Sequence, residues 1–361
     1  MTSHNQYRLF GRPAQAGFSL VEIMVGLVIG MLATLVIMQV FSVFETQKRT
    51  TTGSADAQTN GTIALFNIER ELQDAGYPLM PLTTSSLQCT SLTVNGTAAS
   101  SVAGLSPVVI TDGGTGSDTL TIHYGDTALG GIPSKIKIMA GSVATIDSNF
   151  GCNGGDITLV TNGSACAMSS IPASGVSAAS TVPSTVTLND TTSAAAGAYL
   201  ACVGQKWHEV IFKANTTTGN LEREDLSDAA PAFVPVVPGI VNIQAQYGIS
   251  ATANSNTVTS WVDATGGTWA APAVADRNRI KAIRIAVVAR NAKRDPAVVT
   301  TATCPSGAPT GLCAWVGSAS SPAPTANLSG TDVGADWPHY RYRVFETVVP
   351  LRNVIWSKGK L

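Results

Sequence analysis

Between Phe18 and Phe44 the chain carries one ionisable side chain, Glu22, in an otherwise uncharged and largely apolar run. At ~1.5 Å per residue, a helix over this run reaches roughly 40 Å and can cross a bilayer. A carboxylate inside hydrocarbon costs about 2.5–3.5 kcal/mol on insertion scales, so a lone one in such a segment marks a functional position. No proline occurs between Pro13 and Pro78, so a helix that starts near Phe18 meets no proline break. Any fold must therefore begin with a long helix whose first half is soluble in lipid.

Arg8 and Arg12 precede the run, with no acidic residue beside them. Positive flanks stay in the cytoplasm, which predicts a single-pass inner-membrane protein with its N-terminus inside and the rest periplasmic. An ordinary secretory signal has its small-residue cleavage site after the apolar region. Here the small residue, Gly17, stands before it, so cleavage at that point leaves the helix on the mature chain. The alternative is an uncleaved anchor in which Glu22 snorkels to the interface.

Charged residues make up 12% of the 361, and the formal net charge is −1. So sparse a charge set argues against nucleic acid as a partner, which calls for a basic patch or stripe. The six cysteines are Cys89, Cys152, Cys166, Cys202, Cys304 and Cys313. None forms a C-x-x-C pair, which argues against zinc or thioredoxin-like chemistry. An even count beyond a membrane segment suits disulfides in an oxidising compartment. Cys304 and Cys313 bracket a Pro/Gly-rich loop and are the first choice of local pair. Cys152 with Cys166 is the next, leaving Cys89 with Cys202, although sequence alone leaves the connectivity open.

Past the membrane segment, Leu65, Ile68, Leu72 and Ala75 share one helical face, while Glu69, Arg70, Glu71 and Asp74 take others. Gly53 and Gly61 read as weak points of this helix, and 50–53 as a place where it frays or bends. Gly76 fits the C′ position and Pro78 ends the helix. From Cys89 onward the signals are strands: Thr119–Tyr124, Lys135–Ile138, Asp156–Val160, Ile240–Tyr247, Ile283–Ala289 and Tyr340–Val348. Ser/Thr/Ala-rich stretches around 163–198, 251–275 and 301–335 read as long surface loops.

The cluster Gly17-Phe18-Ser19-Leu20-Val21-Glu22 resembles the class III signal of type IV pilins and pseudopilins. Further segments are similar to minor pilins of the PilW type. They are Asn60-Gly61 with Ala64-Leu65, Arg70, Leu72 and Asp74–Tyr77, then Ser117–Gly125, Val237–Val241, Gln246-Tyr247-Gly248, Arg343–Glu346 and Leu351-Arg352-Asn353. The regions 163–202 and 297–335 have no counterpart, and the absence of a helix proline departs from major pilins. The resemblance implies an α+β, type IV pilin-like fold: a long N-terminal helix, membrane-spanning then amphipathic, packed on an antiparallel β-sheet with long loops. It divides the chain into a leader (1–17), a transmembrane and assembly helix (18–44), an amphipathic helix (45–77) and a periplasmic β-rich domain (78–361).

The same resemblance implies cleavage by a prepilin peptidase between Gly17 and Phe18 and N-methylation of Phe18. Glu22 is then the assembly residue that meets the N-terminus of a neighbouring subunit. The implied role is a minor pilin that primes assembly of a type IV pilus and sits near its tip. Implied partners are other minor pilins, the major pilin, a PilY-type tip protein, the inner-membrane assembly platform, the prepilin peptidase and the membrane. A J-like tip pseudopilin of a type II secretion system is the alternative within the superfamily. A membrane-anchored periplasmic enzyme or ligand-binding protein is the alternative outside it.

No catalytic residues, metal or cofactor are expected. Gly113–Thr121 fits one copy of the calcium nonapeptide, but calcium there needs stacked repeats, so the segment reads as a turn. Ser134-Lys135-Ile136-Lys137 fits S-x-x-K without the K-T-G that chemistry would need. His4, His123, His208 and His339 are scattered without metal spacing, and His123 reads as a packed side chain. Arg341 and Arg343 share one strand face, read as solvated or ion-paired.

Overall fold

The computed structural model describes residues 17–79, 89–99, 102–114, 116–129, 131–178, 181–300, 312, 315 and 326–356. Cys304, Cys313, His4 and the leader up to residue 16 lie outside the described residues. The chain divides into two compact units, Met1–Thr52 and Gly53–Leu361. Helix α1 (Leu20–Asp74) runs through the division without a break.

In the first unit, every described side chain of α1 is exposed. The segment Leu20–Glu45 has a mean hydropathy of 2.6 and buries none of its most apolar window. Apolar side chains that find no core within the unit need lipid or other helices around them.

In the second unit, α1 buries one stripe: Ala57, Ala64, Ile68, Leu72 and Ala75. Their spacing follows the helical repeat, as the sequence predicts. Residues 50–53 stay within the helix, and Gly53 and Gly61 have a packing reason to be glycine. A Cβ on Gly53 would overlap the Asn291 amide, and one on Gly61 would overlap the Phe345 ring. Gly76, at φ +76°, closes the helix in the left-handed region, and its N–H donates to the His123 carbonyl at 2.8 Å.

The strands follow as β1 (Ser91–Val94), β2 (Thr97–Ala98), β3 (Val108–Thr111), β4 (Thr119–Gly125), β5 (Ser134–Ala140) and β6 (Val143–Ile146). Next come β7 (Ile157–Asn162), β8 (Ala165–Ser170), β9 (Ser184–Thr187), β10 (Tyr199–Gly204) and β11 (Trp207–Asn215). β12 (Asn220–Asp225), β13 (Val234–Pro238), β14 (Ile240–Ser250) and β15 (Val258–Val262) lead to two short helices, α2 (Gly266–Trp269) and α3 (Val274–Arg277). The chain ends with β16 (Ile280–Arg290), β17 (Tyr342–Pro350) and α4 (Arg352–Trp356).

These strands build three sheets rather than the one expected: a four-stranded sheet β15-β14-β16-β17, a five-stranded sheet β13-β12-β11-β4-β3, and an eight-stranded sheet β2-β1-β8-β7-β10-β5-β6-β9. All pairings are antiparallel except β1 with β8. The buried stripe of α1 shares one core with the four- and five-stranded sheets, through Ile122, Phe212, Ile243, Tyr247 and Ile285 among others. The eight-stranded sheet holds two further cores, one around Ile136, Val160 and Leu200, the other around Cys89, Leu92 and Leu105.

Two readings fail here for local reasons. The stretch 163–198 is no loop, because it supplies β8 and β9. In β8 the four central residues are all buried, so small and polar side chains line both faces and no alternation advertises the strand. Likewise 251–275 contains β15, α2 and α3. In β5 the alternation stops at Ile138, 59% exposed, where the register with β6 shifts between Ile136 and Ile138.

The disulfides are Cys89–Cys166 and Cys152–Cys202, with Cα separations of 5.8 and 5.3 Å. This corrects the pairing of Cys152 with Cys166 and of Cys89 with Cys202. The parallel register places Leu92 beside Cys166, which brings the start of β1 onto β8 and Cys89 with it. Cys202 lies on β10 opposite Thr158 of β7, the strand that Cys152 precedes. A parallel pairing distant in sequence leaves no trace in cysteine spacing.

Candidate functional site

Gly17, Phe18 and Ser19 precede the first turn of α1. The N–H groups of Glu22 and Ile23 donate to the Ser19 carbonyl at 2.9 and 3.2 Å. Glu22 thus occupies the first turn, where the helix dipole favours a negative charge. Phe18 is 81% exposed, and nothing stands within 4 Å of where a Cβ on Gly17 would lie. The Glu22 carboxylate is exposed and has no side-chain partner among the described residues. What the geometry offers is a small residue, an open backbone, and one unpaired carboxylate at the head of a bare apolar helix.

Other candidates are absorbed by the fold. In the nonapeptide segment, Asp118 accepts hydrogen bonds from the Gly113 N–H at 2.9 Å and from the Ala245 N–H of β14 at 2.7 Å. Its two oxygens fasten the β3–β4 turn to β14. Burial raises the Asp118 carboxyl to about 7, against these two donors. Ser134 and Lys137 lie on strand β5, where Lys137 pairs with Asp147 at 2.5 Å. Arg341 pairs with Asp295 at 3.1 Å, and Arg343 donates to the Ser54 hydroxyl at 3.0 Å. Among the described residues no cluster of His, Cys, Asp or Glu has the makings of a metal site.

The sequence reading missed one group. Glu71, placed there on a polar face, is 4% exposed. It accepts a 2.5 Å hydrogen bond from the Tyr124 hydroxyl and faces Arg223 at 3.3 Å and Arg70 at 3.5 Å. Arg223 also reaches Asp225 at 3.7 Å, and Asp225 pairs with His208 at 2.7 Å. The one available signal was its position: Glu71 directly precedes the buried Leu72 in the last two turns of an amphipathic helix.

Residues 210–353 match the family model of the type IV pilus-assembly protein W, and residues 12–38 match the prokaryotic N-terminal methylation motif. Over these two stretches the chain is similar to the PilW family and to proteins with that N-terminal motif. The first match runs from β11 into α4 and takes in the Val237–Val241, Gln246–Gly248, Arg343–Glu346 and Leu351–Asn353 segments. The second takes in Gly17, Phe18 and Glu22. The match links the chain to type IV pilus assembly, and its apolar helix with the methylation motif marks a membrane-anchored chain. A type IV-like pilin from Thermus thermophilus is similar in structure, at 12% identity and a TM-score of 0.34, covering 82% of this chain and 96% of that one. No curated protein matches this chain.

Proposed function

We propose that this chain is a PilW-type minor pilin, cut between Gly17 and Phe18, methylated on the new Phe18 amine, and drawn from the inner membrane into the pilus through Glu22. The observation that carries the reading is the solitary carboxylate. Glu22 is the only ionisable group from Phe18 to Phe44, and the exposed helix gives it no partner among the described residues. In an apolar surrounding an unpaired carboxylate is expensive, and a cationic N-terminal amine from a neighbouring subunit relieves that cost.

The β-rich unit is periplasmic on this reading, by the Arg8 and Arg12 flank, and becomes extracellular with the filament. Its role is to prime assembly near the tip, as a structural subunit and not an enzyme. Its helix bundles with other minor pilins and the major pilin, and its globular part supports a PilY-type tip protein. The prepilin peptidase and the inner-membrane platform act on it before then.

The test is a deletion strain complemented with wild type or Glu22→Ala. The Glu22→Ala protein should insert and be cleaved to a methyl-Phe18 terminus by mass spectrometry, yet be missing from sheared pili. Incorporation at wild-type level would remove Glu22 from the mechanism. An intact leader in assembled pili would remove the cleavage reading.

A further inference from the structure

Three large apolar side chains stand in solvent around the start of β5: Leu129, Ile132 and Phe150, at 47%, 49% and 59% exposed. Ile132 and Phe150 line one surface pocket of about 380 Å³, together with Pro133 and Tyr199. Leu129 adjoins it, because a Cβ on Gly151, the residue after Phe150, would lie 3.3 Å from the Leu129 Cβ. Apolar side chains scattered singly are ordinary surface, whereas a group of them around a pocket marks a place of contact.

The loop that presents Phe150 is held from several sides. The Ser148 N–H donates to the Ser134 hydroxyl at 3.1 Å, and the Phe150 N–H to the Ser148 hydroxyl at 3.2 Å. The Asn149 side-chain amide donates to the Ser177 carbonyl at 2.6 Å, and Cys152 is bonded to Cys202 of β10. A ring fixed in water by such a loop has lost its backbone freedom before a partner arrives, so binding has less to order. Charge narrows what the partner can be. Asp147, at the pocket wall, is taken by Lys137 at 2.5 Å. Lys135, opposite Tyr199 in the β5–β10 register, also lines the pocket and has no carboxylate partner among the described residues. The pocket therefore offers one unanswered ammonium beside apolar walls. An anionic bilayer calls for clusters of about four to eight basic residues, so a lone lysine at a pocket fits a single carboxylate better. A free small carboxylate would fill the pocket and leave Leu129 bare, whereas a protein segment covers all three apolar side chains.

We infer that this surface docks an acidic segment of a partner protein. A leucine or aromatic side chain of the segment enters the pocket between Ile132, Phe150 and Tyr199, and a neighbouring carboxylate meets the Lys135 ammonium. The surface belongs to the globular unit, so its binding is separable from the role of Glu22.

Fluorescence anisotropy on the full-length chain in phosphatidylcholine nanodiscs tests this. The probes are capped pentapeptides bearing a neutral dye, with aspartate or glutamate beside leucine, phenylalanine or tyrosine. The same peptides with asparagine or glutamine are the uncharged controls. At least one acidic peptide should bind saturably, and about threefold more tightly than its amide control, the scale of a partly exposed ion pair. Lys135→Gln should erase that difference, and Phe150→Ser should weaken the acidic peptide by about tenfold. Both side chains are exposed, so the urea midpoint of either variant should match wild type. Saturable binding by none of the acidic peptides, equal binding of acid and amide, or binding unchanged in Phe150→Ser would overturn the proposal. Displacement by phenylacetate, or by dihexanoyl-phosphatidylserine, at a lower concentration than by unlabelled peptide would overturn it too, and would assign the surface to a small carboxylate or to lipid.

Discussion

Glu22 and Glu71 lie near opposite ends of the same helix, and their surroundings share almost nothing. Glu22 is exposed among Phe18, Leu20, Val21 and Ile23, and no described residue answers its charge. Glu71 is buried and answered three times, by Tyr124, Arg223 and Arg70. The needs of Glu71 are met within the chain, so its charge serves the fold. The needs of Glu22 are met by no described residue, which is the ground for proposing that its charge serves assembly. The apolar residues of the two halves divide in the same way: Ile68 and Leu72 are covered by sheets, whereas Ile29 and Leu35 are bare.

The sharpest way to break this contrast is to shorten an apolar side chain in each half. Leu72→Ala and Ile68→Ala should each lower the stability of the globular unit by about 2–5 kcal/mol, the cost of emptying a packed site. Leu35→Ala should leave the same denaturation midpoint unchanged. Urea unfolding of the full chain in detergent, followed by tryptophan emission, measures both. If Leu35→Ala were as costly as Leu72→Ala, the bare half would be part of the folded core after all.

Glu71→Gln comes next. It keeps the shape but removes one of the two charge partners of Arg223, and the expected loss is about 1–3 kcal/mol because Arg223 retains Asp225 and some solvent. Burial and the Glu71 bond together push the Tyr124 phenol above its ordinary range. In the variant that phenol should ionise at a lower pH, read by its ultraviolet absorbance. No shift would mean that burial alone sets it.

The helix glycines extend the comparison. Gly61→Ala drives a methyl group into the Phe345 ring and should cost about 1–3 kcal/mol through overpacking. Gly26→Ala meets nothing within 4 Å and should gain about 1 kcal/mol of helix propensity. In sequence the two glycines look alike, and only the approach of β17 distinguishes them.

That difference marks what the sequence could reveal. The bare helix, the stripe through Ile68, Leu72 and Ala75 and the stop at Gly76 were legible because helical periodicity and hydropathy are local, although Ala64 rather than the partly buried Leu65 continues that stripe. The strands β4, β14 and β16 were legible because their residues are β-branched or apolar in runs. Three sheets instead of one, the parallel β1–β8 pair and the disulfide exchange it imposes depend on contacts far apart in sequence. Strand β8 was misread as loop because it buries both of its faces with Ala, Cys, Met and Ser. Of the candidate site, Gly17, Phe18 and Glu22 stood out through the pattern itself. Glu71 did not, because its partners Tyr124 and Arg223 come from β4 and β12, far away in sequence.

The smallest expected effect lies at the far end of the Glu71 network. Burial raises the Asp225 carboxyl, but hydrogen bonds from His208 at 2.7 Å and from the Ser227 hydroxyl and N–H at 2.7 and 3.0 Å outweigh it and hold the group below the usual range. A carboxyl with a depressed folded pKa binds protons more weakly in the folded than in the unfolded chain. Its contribution is therefore present above the unfolded value of about 3.9 and fades as the pH falls through the folded one. His208→Phe keeps a ring to stack on Tyr124, now 4.8 Å from the imidazole, and removes one donor to Asp225. Stability measured between about pH 5 and pH 2 should thus fall less steeply in His208→Phe than in wild type. Parallel curves for His208→Phe and wild type would show that Ser227 alone holds Asp225.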